Sequence, residues 1–247
     1  MYDLSTRRRA LALVSQGRSL NSVSRETGIS RAAIRSWQHR LEPLPRMTLP
    51  APGPPADESA YVYLLGLYLG DGCISAHPRA GYYLRIACAD AWPGLIELCR
   101  EAIARVRPGI GLCTQPKQGC VMIVSYSRHW PRLFPQHGPG KKHERPISLE
   151  PWQQTMVDEH PWEFVRGLIH SDGCRITNWT TRMVRGEQKR YEYPRYFFTN
   201  LSADIIRLFT RSLNQVGVEW RQPNPRNISV AKKASVALLD LHVGPKY

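Results

Sequence analysis

The sequence predicts an α+β protein: a duplicated αββαββα unit with pseudo-twofold symmetry, preceded by a small all-α helix-turn-helix domain. Three observations carry that expectation. Residues 6–40 are basic and have helical periodicity; a proline-dense stretch follows; and from Ala60 onward one order of elements runs twice, each copy opening on an apolar segment that stops at Asp-Gly-Cys.

In the first segment, TRRRALALVSQGRSLNSVSRETGISRAAIRSWQHR, apolar Ala10, Leu13, Val14, Leu20, Val23, Ile29, Ile34 and Trp37 recur at roughly helical spacing. Gly17 and Gly28 punctuate three short helices, and Ser19 and Ser30 stand where N-caps belong. The second and third helices, joined by the tight TGIS turn, resemble the helix-turn-helix segments of resolvases and transposases. In that motif the third helix enters the major groove, here presenting Arg31, Arg35 and Gln38 to base edges. The alternative is a helical bundle with a solvated basic face.

Prolines at 43, 45, 50, 52, 54 and 55 exclude helix and sheet interiors and predict an extended, semi-rigid spacer. The expected organisation is a helix-turn-helix domain at 1–42, a Pro-rich linker at 43–58, a first repeat at 59–140, an inter-repeat linker with a short helix of its own at 141–158, and a second repeat at 159–247. The repeat is visible in residues as well as in elements. Gly66 matches Gly167, LRIACAD matches PRYFFTN so that Arg85 meets Arg195, and SYSRHWPRLFPQHGPGK echoes SVAKKASVALLDLHVGPK.

Composition narrows the partners. Lys and Arg total 34 against 20 Asp and Glu among 247 residues, a formal net charge of +14 with a sequence pI near 9.9. That balance points to a polyanion, nucleic acid ahead of an acidic membrane surface. The six cysteines form no CxxC pair and the chain shows no signal peptide. These features exclude a zinc knuckle and a secreted disulfide framework, and predict a reduced, cytoplasmic, nucleoid-associated bacterial protein. The longest apolar run, Tyr61 to Gly70, is about half of the roughly 20 residues that span a bilayer, so no membrane partner is expected.

The two apolar segments, LLGLYLGDGC at 64–73 and VRGLIHSDGC at 165–174, hold the most specific signal. Gly66 with Gly70, and Gly167 with Ser171, lie four apart on one face of each helix, so that two helix backbones can approach closely. Each helix ends in Asp, followed by a Gly suited to a left-handed C-terminal cap. A carboxylate at that end opposes the helix dipole at a cost of about 0.3–1 kcal/mol. Pairing the helices brings Asp71 and Asp172 together, and two such charges need a cation; hard oxygen ligands favour Mg²⁺ or Ca²⁺.

These residues resemble the LAGLIDADG homing endonucleases in their single-chain, two-motif form. LLGLYLGDG (64–72) and VRGLIHSDG (165–173) align with the nine-letter signature without a gap, matching its glycines at the third and ninth places and its acid at the eighth. The sixth place, often acidic in that family, holds Leu69 and His170. The resemblance covers residues 59–247. It implies a helix–helix interface between pseudo-twofold halves, two β-sheets forming a saddle over the DNA major groove, and metal-assisted phosphodiester hydrolysis by a monomer on double-stranded DNA. Asp71 and Asp172 are then the metal ligands, with the backbone carbonyls of Gly70 and Ser171 assisting. Mg²⁺ is the expected ion, with Ca²⁺ or Mn²⁺ able to substitute.

Basic residues should border such a site. The repeat comparison offers Lys232 and Lys233 in the second half and Arg128 in the first; the alternative for each is a solvated strand end. Asp90 and Asn200, at strand-to-helix junctions, occupy places where the resembled family has polar site residues; the favoured alternative is that they are N-caps. Counting by twos from each aspartate selects one strand face for DNA: Ser75, His77 and Arg79 in one half, Ile176, Asn178, Thr180 and Arg182 in the other. Arg85 and Arg195 join them from the second strands, with Gln115 and Lys117, and Arg221 and Asn224, in the other hairpins. Two other readings stand beside the nuclease. One is a non-cleaving transcriptional regulator, since some bacterial sporulation regulators join a degenerate LAGLIDADG fold to a helix-turn-helix. The other, an intron-RNA maturase, rests on charge alone.

Overall fold

The structure, a computed structural model, describes residues 2–42, 53–78 and 80–247. Most of the expected spacer, and Arg79, lie outside the described residues. The chain divides into two compact units, Met1–Ala51 and Pro52–Tyr247.

The first unit holds three helices, α1 (Leu4–Ser15), α2 (Leu20–Thr27) and α3 (Arg31–His39). Each starts on a side chain that accepts an otherwise unpaired backbone N–H: Asp3 from Thr6, Ser19 from Ser22 and Ser30 from Ala33. Gly28 ends α2 at φ 69°, the left-handed conformation that glycine adopts freely. Ala10, Val23, Ile29, Ile34 and Trp37 form a small core of their own. The Arg7 guanidinium lies over the Trp37 ring at 5.2 Å and donates to the Leu41 carbonyl at 3.2 Å, closing the chain end onto that core.

The second unit contains the duplication. Its first copy is α4 (Glu58–Asp71), β1 (Gly72–Ala76), β2 (Tyr82–Ala89), α5 (Pro93–Val106), β3 (Leu112–Lys117), β4 (Cys120–Ser127) and α6 (Trp130–Leu133). A 3-10 turn at Lys142–Glu144 and α7 (Pro151–Glu159) connect the copies. The second copy is α8 (Pro161–Asp172), β5 (Gly173–Val184), β6 (Glu187–Thr199), α9 (Ala203–Gln215), β7 (Arg221–Asn224), β8 (Asn227–Val230) and α10 (Lys233–His242). Two four-stranded antiparallel sheets result, ordered β1-β2-β4-β3 and β5-β6-β8-β7.

Helix α4 is apolar on every side, and all its residues from Ala60 to Leu69 are buried, as expected of a helix enclosed by its neighbours. It packs along α8, and one continuous core runs through both copies. No described helix is long and apolar enough to cross a membrane.

The copies are not equal. Strands β1 and β2 have 5 and 8 residues, whereas β5 and β6 have 12 and 13. Register departs from the sequence alignment too: Arg85 lies opposite Cys73, but Phe197 lies opposite Cys174, and Arg195 faces Ile176 two residues farther out. Equal spacing in the sequence therefore does not make Arg85 and Arg195 equivalent in space.

Candidate active site at the paired helix ends

Close packing of α4 on α8 depends on the small residues. A Cβ built on Gly66 would lie 2.8 Å from the Leu168 backbone nitrogen, and one on Gly167 would lie 3.0 Å from the Gly66 Cα and overlap the Tyr63 carbonyl oxygen. Farther along, a Cβ on Gly70 would lie 3.0 Å from Asp172 Oδ2 and overlap the Ser171 side chain. The two aspartate-bearing ends are thereby brought together.

The glycines after the aspartates do something other than the expected left-handed capping. Gly72 (φ −95°, ψ 154°) and Gly173 (φ −102°, ψ 167°) are extended, and each opens a strand. What requires glycine is space: a Cβ would lie 2.5 Å from Tyr68 Cα at Gly72, and 2.8 Å from Ile169 Cα at Gly173. The chain leaves each helix directly into a sheet, folding back on the last turn.

Burial raises the carboxyl of Asp71, partly offset by Lys142 and Lys246. Asp172 is pushed up to about 6, first by burial and then by the Asp71 charge, with Asn200, Lys142 and Lys246 pulling the other way. Asn200 Nδ2 donates to Asp172 Oδ2 at 2.6 Å. The Lys142 ammonium donates to the carbonyls of Tyr68, Leu69 (2.9 Å) and Gly70 (2.9 Å), the last turn of α4; Lys246 donates to the Ser171 carbonyl at 3.2 Å. Each lysine thus sits where a helix dipole and two carboxylates all favour a cation. Burial nonetheless depresses both ammonium groups, that of Lys142 to about 8. An open pocket of ≈ 320 Å³, lined among others by Gly70, Lys142, Asp172 and Asn200, leads into this cluster.

No family model and no curated protein matches the chain. Among solved structures it is similar to mesophilic variants of the homing endonuclease I-DmoI, at 14% identity and TM-score 0.50 over 75% of this chain and 90% of that one. It is also similar to I-DmoI in complex with DNA and Mn (13% identity, TM-score 0.47, 77% and 98% covered). A further match is the N-terminal LAGLIDADG domain of DUF199/WhiA (11% identity, TM-score 0.45, 80% and 87% covered). The chain has the LAGLIDADG fold.

On this LAGLIDADG scaffold the residues selected by strand alternation share one sheet face. In the first sheet Leu84, Ile86 and Ile123 enter the core, which leaves Ser75, Arg85, Gln115 and Lys117 on the opposite side. In the second, Tyr196 and Phe198 are buried and Ile176, Asn178, Thr180, Arg182 and Arg195 face away, with Arg221 and Asn224 following across β8. His77, one residue past β1, rests against the Tyr83 and Tyr126 rings at 5.1 and 5.3 Å. In the first unit Arg31, Arg35 and Gln38 are exposed on α3, Arg31 bonding Asn21 at 2.9 Å.

The bordering bases differ from those expected. Strand β8 starts with Asn227 opposite Thr199, beside Asn200 and Asp172, and runs away from them. That direction places Lys232 beyond the far end of β8, where it pairs with Glu219, and Lys233 at the start of α10. Arg128 likewise follows Ser127, which pairs with Tyr82 at the outer end of β2. The antiparallel register therefore carries all three from the aspartates, and Lys142 and Lys246 stand there instead. Part of their signal is in the sequence: Lys246 closes the echoed HVGPK stretch, and Lys142 comes one residue after its counterpart HGPGK, within the expected inter-repeat linker. Asn200 is not an N-cap either, since Ser202 caps α9 while Asn200 binds Asp172. Asp90 does not cap α5, whose N-cap position is Trp92. At the sixth motif place, His170 is buried with Nδ1 2.9 Å from the Tyr63 hydroxyl, and burial lowers it to about 4. It is a neutral strut between the helices.

Proposed function

We propose that this protein is a site-specific DNA endonuclease of homing type that hydrolyses both strands with divalent metal. The observation that carries this reading is the pairing of Asp71 and Asp172 at adjoining helix ends, two desolvated carboxylates flanked by Lys142 and Lys246.

The donors suit a hard cation. Carboxylate oxygens of Asp71 and Asp172 and the carbonyl oxygens of Gly70 and Ser171 supply oxygen alone, as Mg²⁺ prefers, with Mn²⁺ or Ca²⁺ as substitutes. Each carbonyl has a second lone pair beside the one its lysine engages. When bound, the metal would activate water and neutralise the attacking and leaving oxygens of a phosphodiester.

The chain's own residues do the rest. Asn200 fixes one oxygen of Asp172 and so orients the other. Lys142 and Lys246, held against backbone carbonyls, present fixed positive charge where the phosphate becomes more negative. The sheet faces bearing Arg85, Gln115, Asn178, Arg182, Arg195, Arg221 and Asn224 supply base and phosphate contacts, Arg and Asn being suited to bidentate reading of base edges. The first unit extends the footprint by placing Arg31, Arg35 and Gln38 in a major groove.

Incubation of the purified protein with genomic DNA and Mg²⁺, followed by mapping of new ends and of occupied sites, tests the proposal. Discrete paired breaks support it. Discrete occupancy without breaks would make the protein a DNA-binding regulator on the same scaffold.

A further inference from the structure

The first hairpin of each copy leaves the aspartate and runs outward along its sheet, but the two differ greatly in length. Pairing of β1 with β2 extends from Gly72↔Ile86 to Ala76↔Tyr82, whereas pairing of β5 with β6 extends from Gly173↔Phe198 to Val184↔Glu187. The second hairpin is longer by seven residue pairs (12 against 5 residues in β5 and β1). The first hairpin continues past these pairs through His77 and Gly81, so from base to tip (15 residues in 72–86 against 26 in 173–198) the second reaches farther by about 18 Å at about 3.3 Å per strand residue, the length of about five base pairs at 3.4 Å each.

Core packing does not account for the extension. Trp179, Met183 and Tyr191 are 54%, 69% and 45% exposed, so beyond Asn178 both faces of the ribbon meet solvent. Its charge is one-sided: residues 175–195 contain six Arg or Lys and two Glu. On the face shared with Asn178 and Arg195, Arg182 stands directly opposite Lys189. Like charges directly opposed across strands destabilise a hairpin, and neither residue has an ion-pair partner among the described residues. The turn is built to last, however: Arg185 (φ 53°) and Gly186 (φ 82°) form a two-residue turn with both central φ values positive, the geometry that matches strand twist.

From this geometry we infer that the β5–β6 hairpin is an arm that tracks duplex DNA beyond the reach of the first half, so that the recognised site is asymmetric and about five base pairs longer on the second-half side. Arg182 and Lys189 are its outer phosphate contacts, with Tyr191 and Tyr193 on the same face beside them. The inference rests on the DNA-binding reading above and adds the shape of the target.

The test begins with selection of bound duplexes from a random DNA pool by the full chain in a chelating buffer, where no cutting occurs. Hydroxyl-radical footprinting then follows on the selected site. Protection should include an outer stretch of about five base pairs on the second-half side, apart from whatever the first unit protects. A variant lacking residues 179–184 and 187–192, which keeps the Arg185-Gly186 turn between Asn178 and Tyr193, should lose about six base pairs of protection on that side alone. A second variant, Arg182→Ala with Lys189→Ala, leaves the hairpin intact and should remove only the outermost protection. A footprint unchanged in both variants would overturn the inference while leaving the DNA-binding reading in place. Enrichment of no DNA at all would overturn that reading and the arm with it.

Discussion

Gly66 and Gly167 touch backbone to backbone across the α4–α8 interface, close enough that a Cβ on Gly66 would stand 2.9 Å from the Gly167 Cα. Neither neighbour is a flexible side chain that could turn aside. Gly167→Ala should therefore separate the helices and destabilise the protein by about 1–3 kcal/mol, and Gly167→Leu by more. Urea denaturation measures this, and an unchanged midpoint in the Leu variant would show that the helices pack less closely than these glycines require.

The two lysines should separate catalysis from binding. Lys142→Met and Lys246→Met each remove a fixed cation beside the aspartates, so single-turnover cleavage should fall roughly a hundredfold or more while DNA affinity changes only a few-fold. Lys232→Met, on the surface with Glu219, should leave cleavage near the parent rate. If Lys232 rather than Lys142 proved essential, the catalytic cluster would lie elsewhere.

Acidity provides a third check. Proton competition should weaken metal binding roughly tenfold per unit below about pH 6, the range to which burial and Asp71 push Asp172. Loss of the Lys142 charge sets an upper limit near 8, so cleavage should be bell-shaped between these values. Stability depends on pH through the same two groups. Asp172 is raised in the folded state, so its stabilising contribution is present below 3.8 and lost as pH rises through about 6. Lys142 is depressed, so its contribution is present above 10.5 and lost as pH falls through about 8. Asp172→Asn should accordingly stabilise the metal-free protein by roughly 1 kcal/mol at pH 7.5, with the gain disappearing by pH 4. Paired thermal melts at the two pH values decide it.

How much of this was legible in the sequence depends on the range of the interaction. The helix order, the duplication and the pairing of small residues are local or periodic signals, and Gly66, Gly167 and both aspartates could be found from them. The sheet faces followed from alternation once each strand started at its aspartate. Register could not: Arg85 and Arg195 align in sequence, yet Arg85 faces Cys73 whereas Arg195 faces Ile176, two residues farther from its aspartate. Lys142 was hidden for a similar reason, since its three carbonyl partners lie more than seventy residues away, at the end of α4. The left-handed capping expected of Gly72 and Gly173 failed because a strand begins there, and close packing, not positive φ, excludes a side chain.

Deletion of residues 1–42 should leave the second unit folded, because each unit has its own apolar core. DNA affinity should fall, and the slope of log affinity against log salt should become shallower by about 0.9 for each phosphate that the shortened chain no longer neutralises. Cooperative unfolding of the shortened chain together with salt titration of DNA binding measures both. A truncated chain that binds with unchanged affinity and slope would remove the first unit from the interface.

The most direct test of the central claim is cleavage of the selected duplex by Asp71→Asn and Asp172→Asn. An amide is a far poorer ligand for a hard cation than a carboxylate, so each substitution should abolish double-strand cutting in Mg²⁺. Binding should persist or tighten, because a negative charge beside phosphate has gone. Metal titration of the parent complex should show divalent binding that weakens in each variant. Equal cutting with both aspartates changed would contradict the account.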